Sequence, residues 1–111
     1  MAVKVLISRK VAQENVADVF GLITQLRAAA ARQPGYISGE TLMSVADPDR
    51  YLVISTWQAL EDWEAWLKSD ERRKIQKKID GLLDGPTEYE VYHYPERNAA
   101  TLRDFRGWEG G

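Results

Sequence analysis

The chain has 111 residues, of which 44% are hydrophobic and 29% charged, with 17 acidic and 15 basic side chains for a formal net charge of -2. That length holds one core rather than two, and the slightly acidic balance excludes a protein built to attract nucleic acid or an anionic membrane surface. With no cysteine and one histidine, His93, the sequence also excludes disulfides, thiolate nucleophiles, iron-sulfur clusters and a multi-imidazole metal site within one subunit.

Val3 to Ser8 reads as a first strand, with Val3, Val5 and Ile7 on one face and Lys4, Leu6 and Ser8 on the other. From Asn15 the period changes to steps of three and four through Val16, Val19, Phe20, Ile23, Leu26 and Ala30, which predicts an amphipathic helix to about Arg32 with Asn15 as its cap. Gln33-Pro34-Gly35 stops that helix, because proline cannot extend the hydrogen-bond ladder and glycine accepts the positive φ of an exit. Tyr36 to Val45 and Tyr51 to Trp57 are read as a hairpin around Ala46-Asp47-Pro48-Asp49. Helical spacing returns at Leu60, Trp63, Trp66 and Leu67, and again at Ile75, Ile79, Leu82 and Leu83. Ser69 is placed to cap the second of these two helices. Asp84-Gly85-Pro86 ends it, and Thr87 to Tyr94 is the last strand.

This strand, helix, strand, strand, helix, strand order predicts an α+β, ferredoxin-like βαββαβ fold, in which a four-stranded antiparallel sheet carries its helices on one face. A sheet face meeting water should alternate with polar residues. Instead Leu6, Leu52, Ile54, Tyr92 and Tyr94 leave the second face apolar as well. Wetting each such side chain forfeits roughly 1.5 to 3 kcal/mol, so a face-to-face homodimer is expected. Its facing sheets would enclose a chamber suited to a small apolar or aromatic ligand.

Several stretches carry a family resemblance: Gln33-Pro34-Gly35-Tyr36, Ser55-Thr56-Trp57 running into Glu61-Asp62-Trp63, and Trp66-Leu67-Lys68-Ser69-Asp70. With the element order, they make the chain resemble the antibiotic biosynthesis monooxygenase (ABM) domains of the dimeric α/β-barrel superfamily, over about Ala2 to Tyr94. The resemblance implies pairing into a dimeric α/β barrel and, as activity, cofactor-independent oxygenation of a small aromatic or quinol-type compound in a pocket within each subunit. The alternative it leaves open is a non-catalytic, haem-binding or haem-degrading barrel protein. Trp66 matches the tryptophan that presses on the porphyrin in the haem-degrading members. The position of their axial histidine is Gln76, a very weak iron ligand, and their first-strand asparagine falls near Ser8. No metal or other cofactor is therefore expected.

For such a site Met43, Trp57 and Trp66 are candidate apolar walls, and Ser8, Gln76, Tyr92 and His93 candidate polar contacts; no catalytic residue is singled out. Helical spacing of Trp63 and Trp66 favours core packing over ligand contact, and a lone histidine in a tyrosine-rich strand favours a structural role for His93. Of the basic run Arg72, Arg73, Lys74, Lys77 and Lys78, amphipathic spacing assigns most to a solvated helix face opposite Ile75 and Ile79. No apolar run approaches the roughly 18 residues of a membrane span, and the amino terminus lacks the order of a secretory leader, so a cytoplasmic location is expected. The domain is taken as 1–94, with 95–111 as a carboxyl-terminal extension. There Leu102, Phe105 and Trp108 recur at three-residue steps, which fits either a short helix docked on a partner subunit or a disordered tail.

Overall fold

A computed structural model describes residues 1–95. The elements run β1 (Val3–Lys10), α1 (Val16–Ala30), β2 (Tyr36–Met43), β3 (Arg50–Trp57), α2 (Leu60–Lys68), α3 (Asp70–Asp80) and β4 (Glu88–His93), with a single 3-10 turn at Gln13–Asn15 ahead of α1. The strands form one sheet in the order β2-β3-β1-β4, antiparallel at every pairing. This is the ferredoxin-like α+β fold that the order of elements predicts. The helical spacing at Leu102, Phe105 and Trp108 lies outside the described residues.

Alternation along the strands decides what each face carries. In β1 the side chains of Val3, Val5, Ile7 and Arg9 are buried, while those between them are half-buried. In β3 the same face holds Tyr51, Val53, Ser55 and Trp57. The helices lie on this face, contributing Val19, Ile23, Ala29 and Ala30 from α1, Trp63 and Trp66 from α2 and Ile79 from α3 to one continuous core. Each of the larger groups contributes roughly 1.5 to 3 kcal/mol by leaving water. The other face carries Leu6, Leu42, Leu52, Ile54 and Tyr92 among Lys4, Glu40, Glu88 and Glu90. Among the described residues no helix covers it.

Local chemistry explains the boundaries. Beyond α1 the chain tightens, with Arg32 N–H donating to the Ala29 carbonyl and Gln33 N–H to that of Ala30, and Gly35 then turns at φ +83°. A side chain at Gly35 would be strained by that φ and would also collide with Asp62, since a Cβ would lie 2.1 Å from its Oδ2. Ser69 separates α2 from α3 in extended backbone. Its hydroxyl accepts from Arg72 N–H at 3.2 Å and donates to the Trp66 carbonyl at 2.8 Å, so one side chain serves both helix ends.

Two expectations are corrected. Asn15 holds the N-cap position of α1 but its side chain makes no capping hydrogen bond; it lies in helical conformation at the end of the 3-10 turn, and its amide donates instead to the Leu82 carbonyl at 3.2 Å, tying the start of α1 to the exit of α3. Arg72 is not solvated. It shares the inward stripe of α3 with Ile75, Gln76 and Ile79, donates to the Leu67 carbonyl at 3.1 Å, and rests its guanidinium over the Tyr89 ring with a contact to the Tyr89 hydroxyl. The neighbouring Arg73, Lys74, Lys77 and Lys78 are exposed as expected.

Candidate functional site

The covered face of the sheet is not fully closed by its helices. Between them lies a cleft of about 40 Å³, room for about three water molecules or the edge of one aromatic ring. Its floor is sheet, from Ile7 and Arg9 of β1, Val53 and Ser55 of β3, and Tyr36 and Gly39 of β2; its walls are Ile23, Leu26, Arg27 and Ala30 of α1 and Trp63 and Trp66 of α2. Alternation places the floor residues of β1 and β3, the register shift between Tyr36 and Ser38 brings both Tyr36 and Gly39 to that face, and the three-residue step on α2 points both indoles the same way.

Behind this surface stands an aromatic cluster. The Trp57 ring is fully buried, 5.4 Å from Tyr36, 6.1 Å from Trp63 and 6.4 Å from Trp66, the last pair stacked at 27°. The Trp57 indole N–H donates to Ser55 Oγ at 2.7 Å, so the cluster's one interior N–H beside Ser55 is satisfied. Gly39 supplies space rather than a turn. A Cβ there would come within 2.7 Å of the Tyr36 hydroxyl and 3.2 Å of Arg27 Nε, so its single hydrogen leaves both groups room at the floor.

Two of the polar side chains that line the cleft, Arg9 and Arg27, are cationic. Arg9 is 2% exposed; its Nη2 donates to Gln76 Oε1 at 2.8 Å, and its Nε is the one buried side-chain nitrogen or oxygen without a hydrogen-bond partner among the described residues. Burial pushes the Arg9 guanidinium below its ordinary pKa, an effect that Tyr89 and Asp80 oppose and the nearby charge of Arg72 reinforces. Arg27, half-buried on the wall, donates to Thr41 Oγ1 at 2.5 Å. No carboxylate lines the cleft among the described residues.

The seven residues singled out from sequence occupy several places. Trp66 lines the cleft and Trp57 backs it. Gln76 is buried behind the floor, its Oε1 accepting from Arg9 and its Nε2 donating to Asp80 Oδ1 at 2.7 Å and Thr87 Oγ1 at 3.1 Å. Ser8 and Met43 border a separate open depression of about 300 Å³ on the other side, with Leu42, Ser44, Arg50 and Leu52. Tyr92 also belongs to that side, donating to Glu90 Oε2 at 2.6 Å, which raises the Tyr92 pKa. His93 is exposed at the sheet edge, with Nδ1 2.9 Å from the Tyr94 carbonyl. Arg9, Arg27, Tyr36 and Ser55 were not singled out, although Arg9 continues the inward alternation Val3, Val5, Ile7.

These residues do not fit haem. Both ends of the Gln76 amide are engaged, the position offers no imidazole, and His93 stands on another element away from the cleft. Among the described residues no cluster of three or more histidine, aspartate or glutamate groups could hold a metal ion, and no helix is long and apolar enough to cross a membrane.

Comparison with known proteins joins the fold to a family. The sequence profile described as antibiotic biosynthesis monooxygenase matches residues 2–78. Protein SchA of Streptomyces halstedii is 23% identical over 83 residues, a match that covers 75% of this chain but 22% of SchA, so the chain spans about a fifth of that curated relative. A conserved protein of Methanosarcina mazei Go1 superposes with a TM-score of 0.80 at 20% identity, covering 86% of this chain and 94% of its own. SnoaB of Streptomyces nogalater, described as a cofactor-independent oxygenase, superposes with a TM-score of 0.76 at 16% identity, covering 88% of this chain and 97% of SnoaB. At such identities the superpositions establish a shared fold.

Proposed function

The chain belongs to the antibiotic biosynthesis monooxygenase family, and from that premise we propose that it is a cytoplasmic, homodimeric oxygenase that oxidises a small aromatic or quinol-type compound without a cofactor. The observation that carries this reading is the apolar cleft between sheet and helices, with Trp63 and Trp66 on its wall, Tyr36 at its floor and room for the edge of one aromatic ring. The likeness to SnoaB in fold supports it.

Chemistry of this kind draws its electrons from the substrate. A ring-flanked methylene that loses its two hydrogens and becomes a carbonyl takes one atom of O2, and the other atom leaves as water with those hydrogens. The protein's part is to hold the ring against the indoles, to keep water from the activated carbon, and to stabilise the anion that reacts with O2. Trp63 and Trp66 serve the first two tasks by their position on the cleft wall.

The dimer in this proposal rests on Leu6, Leu42, Leu52 and Ile54, an apolar strip on the face that no helix covers among the described residues. Two copies stacked on it at the usual sheet spacing of about 10 Å would remove the strip from water. Sedimentation is expected to give twice the single-chain mass, and a lone chain at micromolar concentration would overturn the dimer.

The oxygenase reading is tested by O2 uptake with a panel of anthrones and hydroquinones. We expect uptake that is lost in Trp66→Ala while the variant keeps its circular dichroism spectrum. A folded wild-type protein inert across the panel would favour the second reading, a non-catalytic carrier of flat ligands. The specific observation on that side is that, among the described residues, the cleft is lined by no carboxylate or imidazole able to act as a base.

A further inference from the structure

Arg9 is an unusual floor for an apolar cleft. A guanidinium has five N–H donors, and this one is 2% exposed with a single side-chain hydrogen bond among the described residues, to a neutral amide. Taking such an ion out of water is costly unless a counter-charge and further acceptors compensate. Within the described residues the surroundings compensate only in part: Tyr89 and Asp80 favour the charge and Arg72 opposes it. Arg72, likewise buried, adds a second positive charge nearby, and the carboxylate of Asp80 reaches Arg9 through the Gln76 amide, which donates to it at 2.7 Å. The one ion pair among the described residues, Arg32 with Glu71, is on the surface. On the cleft wall Arg27 provides another guanidinium whose side-chain partner is a hydroxyl.

We propose that Arg9 is a receptor for the oxyanion of the ligand, so that the cleft selects aromatic molecules in their anionic form, a phenolate, enolate or ring carboxylate, with the ring against Trp63 and Trp66. This deepens the oxygenase reading and, for the reaction, rests on it. A cleft without a base among its lining residues can still run chemistry on an anion if it binds that anion preferentially, because preferential binding lowers the ligand's own pKa and the proton leaves to bulk water. Arg9 keeps its charge throughout and supplies the donor that the delocalised oxygen needs, with its partnerless Nε oriented by the Gln76 contact at Nη2. Gln76, Asp80 and Thr87 are then positioning residues: they hold the guanidinium from behind.

The test is binding without oxygen. The full chain, under nitrogen, is titrated at pH 7 with benzoate and with its neutral counterpart benzyl alcohol, following quenching of indole fluorescence, and with 4-nitrophenol, whose colour reports its own ionisation. We expect benzoate to bind about tenfold or more tightly than benzyl alcohol, as a charge-assisted hydrogen bond at a desolvated site implies, or bound 4-nitrophenol to ionise at lower pH than the free compound. Either arm supports the proposal, and the stronger one tells whether carboxylate or phenolate is preferred. Arg9→Gln is expected to abolish the preference while leaving benzyl alcohol binding in place, and Arg9→Lys to restore part of it. No anion preference in the wild type on either arm overturns the proposal even if Arg9→Gln fails to fold, and so does a folded Arg9→Gln that keeps the preference. Anion preference without O2 uptake would count against the oxygenase alone; uptake without anion preference would count against the Arg9 receptor alone.

Discussion

The two faces of the sheet are made from the same four strands, yet they hold different kinds of apolar surface. On the covered side Val5, Trp57 and Ile79 are fully enclosed and the Trp57 indole packs against those of Trp63 and Trp66. On the open side Leu6, Leu52 and Ile54 alternate with them along the same strands, and Leu42 is 47% exposed. The difference teaches that a strand apolar on both sides need not be equally committed on both. The covered side sets whether the chain folds, and on our reading the open side sets how many chains assemble.

The sharpest way to break this contrast is Trp57→Ala. Removing a fully enclosed indole that three other rings contact should cost about 3 to 5 kcal/mol, read as a large fall in the urea midpoint, and should loosen Trp66 as well. Gly35→Ala comes next, at about 1 to 3 kcal/mol from backbone strain, and it should exceed Gly85→Ala, because Gly85 also has positive φ but open space around it whereas Gly35 abuts Asp62. Ser69→Ala should cost about 1 kcal/mol as a lost cap, measured by thermal melting, since one hydroxyl serves the ends of both α2 and α3. The smallest effect on folding belongs to the open side. Ile54→Lys should change the stability of the dilute chain by no more than about 0.5 kcal/mol while lowering its sedimented mass to that of a single chain.

Much of this was legible in the sequence because the signals were local. The element order, the proline-glycine exit after α1, the Ser69 cap and the division of β1 and β3 into two faces all follow from rules spanning a few residues. The cleft was less legible. Arginine reads as a surface residue by composition, yet Arg9 occupies an inward position of β1 and Arg72 shares the i, i+3, i+4, i+7 stripe with Ile75, Gln76 and Ile79. Strict periodicity would have placed both inside. The partners that make this tolerable are far along the chain, Gln76 being 67 residues from Arg9 and Tyr89 17 from Arg72, and no local rule supplies them. Likewise Ser8 and Tyr92 belong by alternation to the open face, away from Trp66. Choosing residues by chemistry without asking which way each one points gathered groups from both sides of the sheet.

On the proposed reading of the cleft, Gly39 carries a consequence for substrate size. With hydrogen as its side chain, the β2 edge of the floor is shaped by the Tyr36 hydroxyl and the Arg27 stem, both of which a methyl group would displace. On the proposed reading, the dimension of ring admitted would be governed from beneath by an atom that makes no bond to the ligand. Enlarging this one position should narrow the range of compounds accepted and leave the indole wall and the charged floor where they stand.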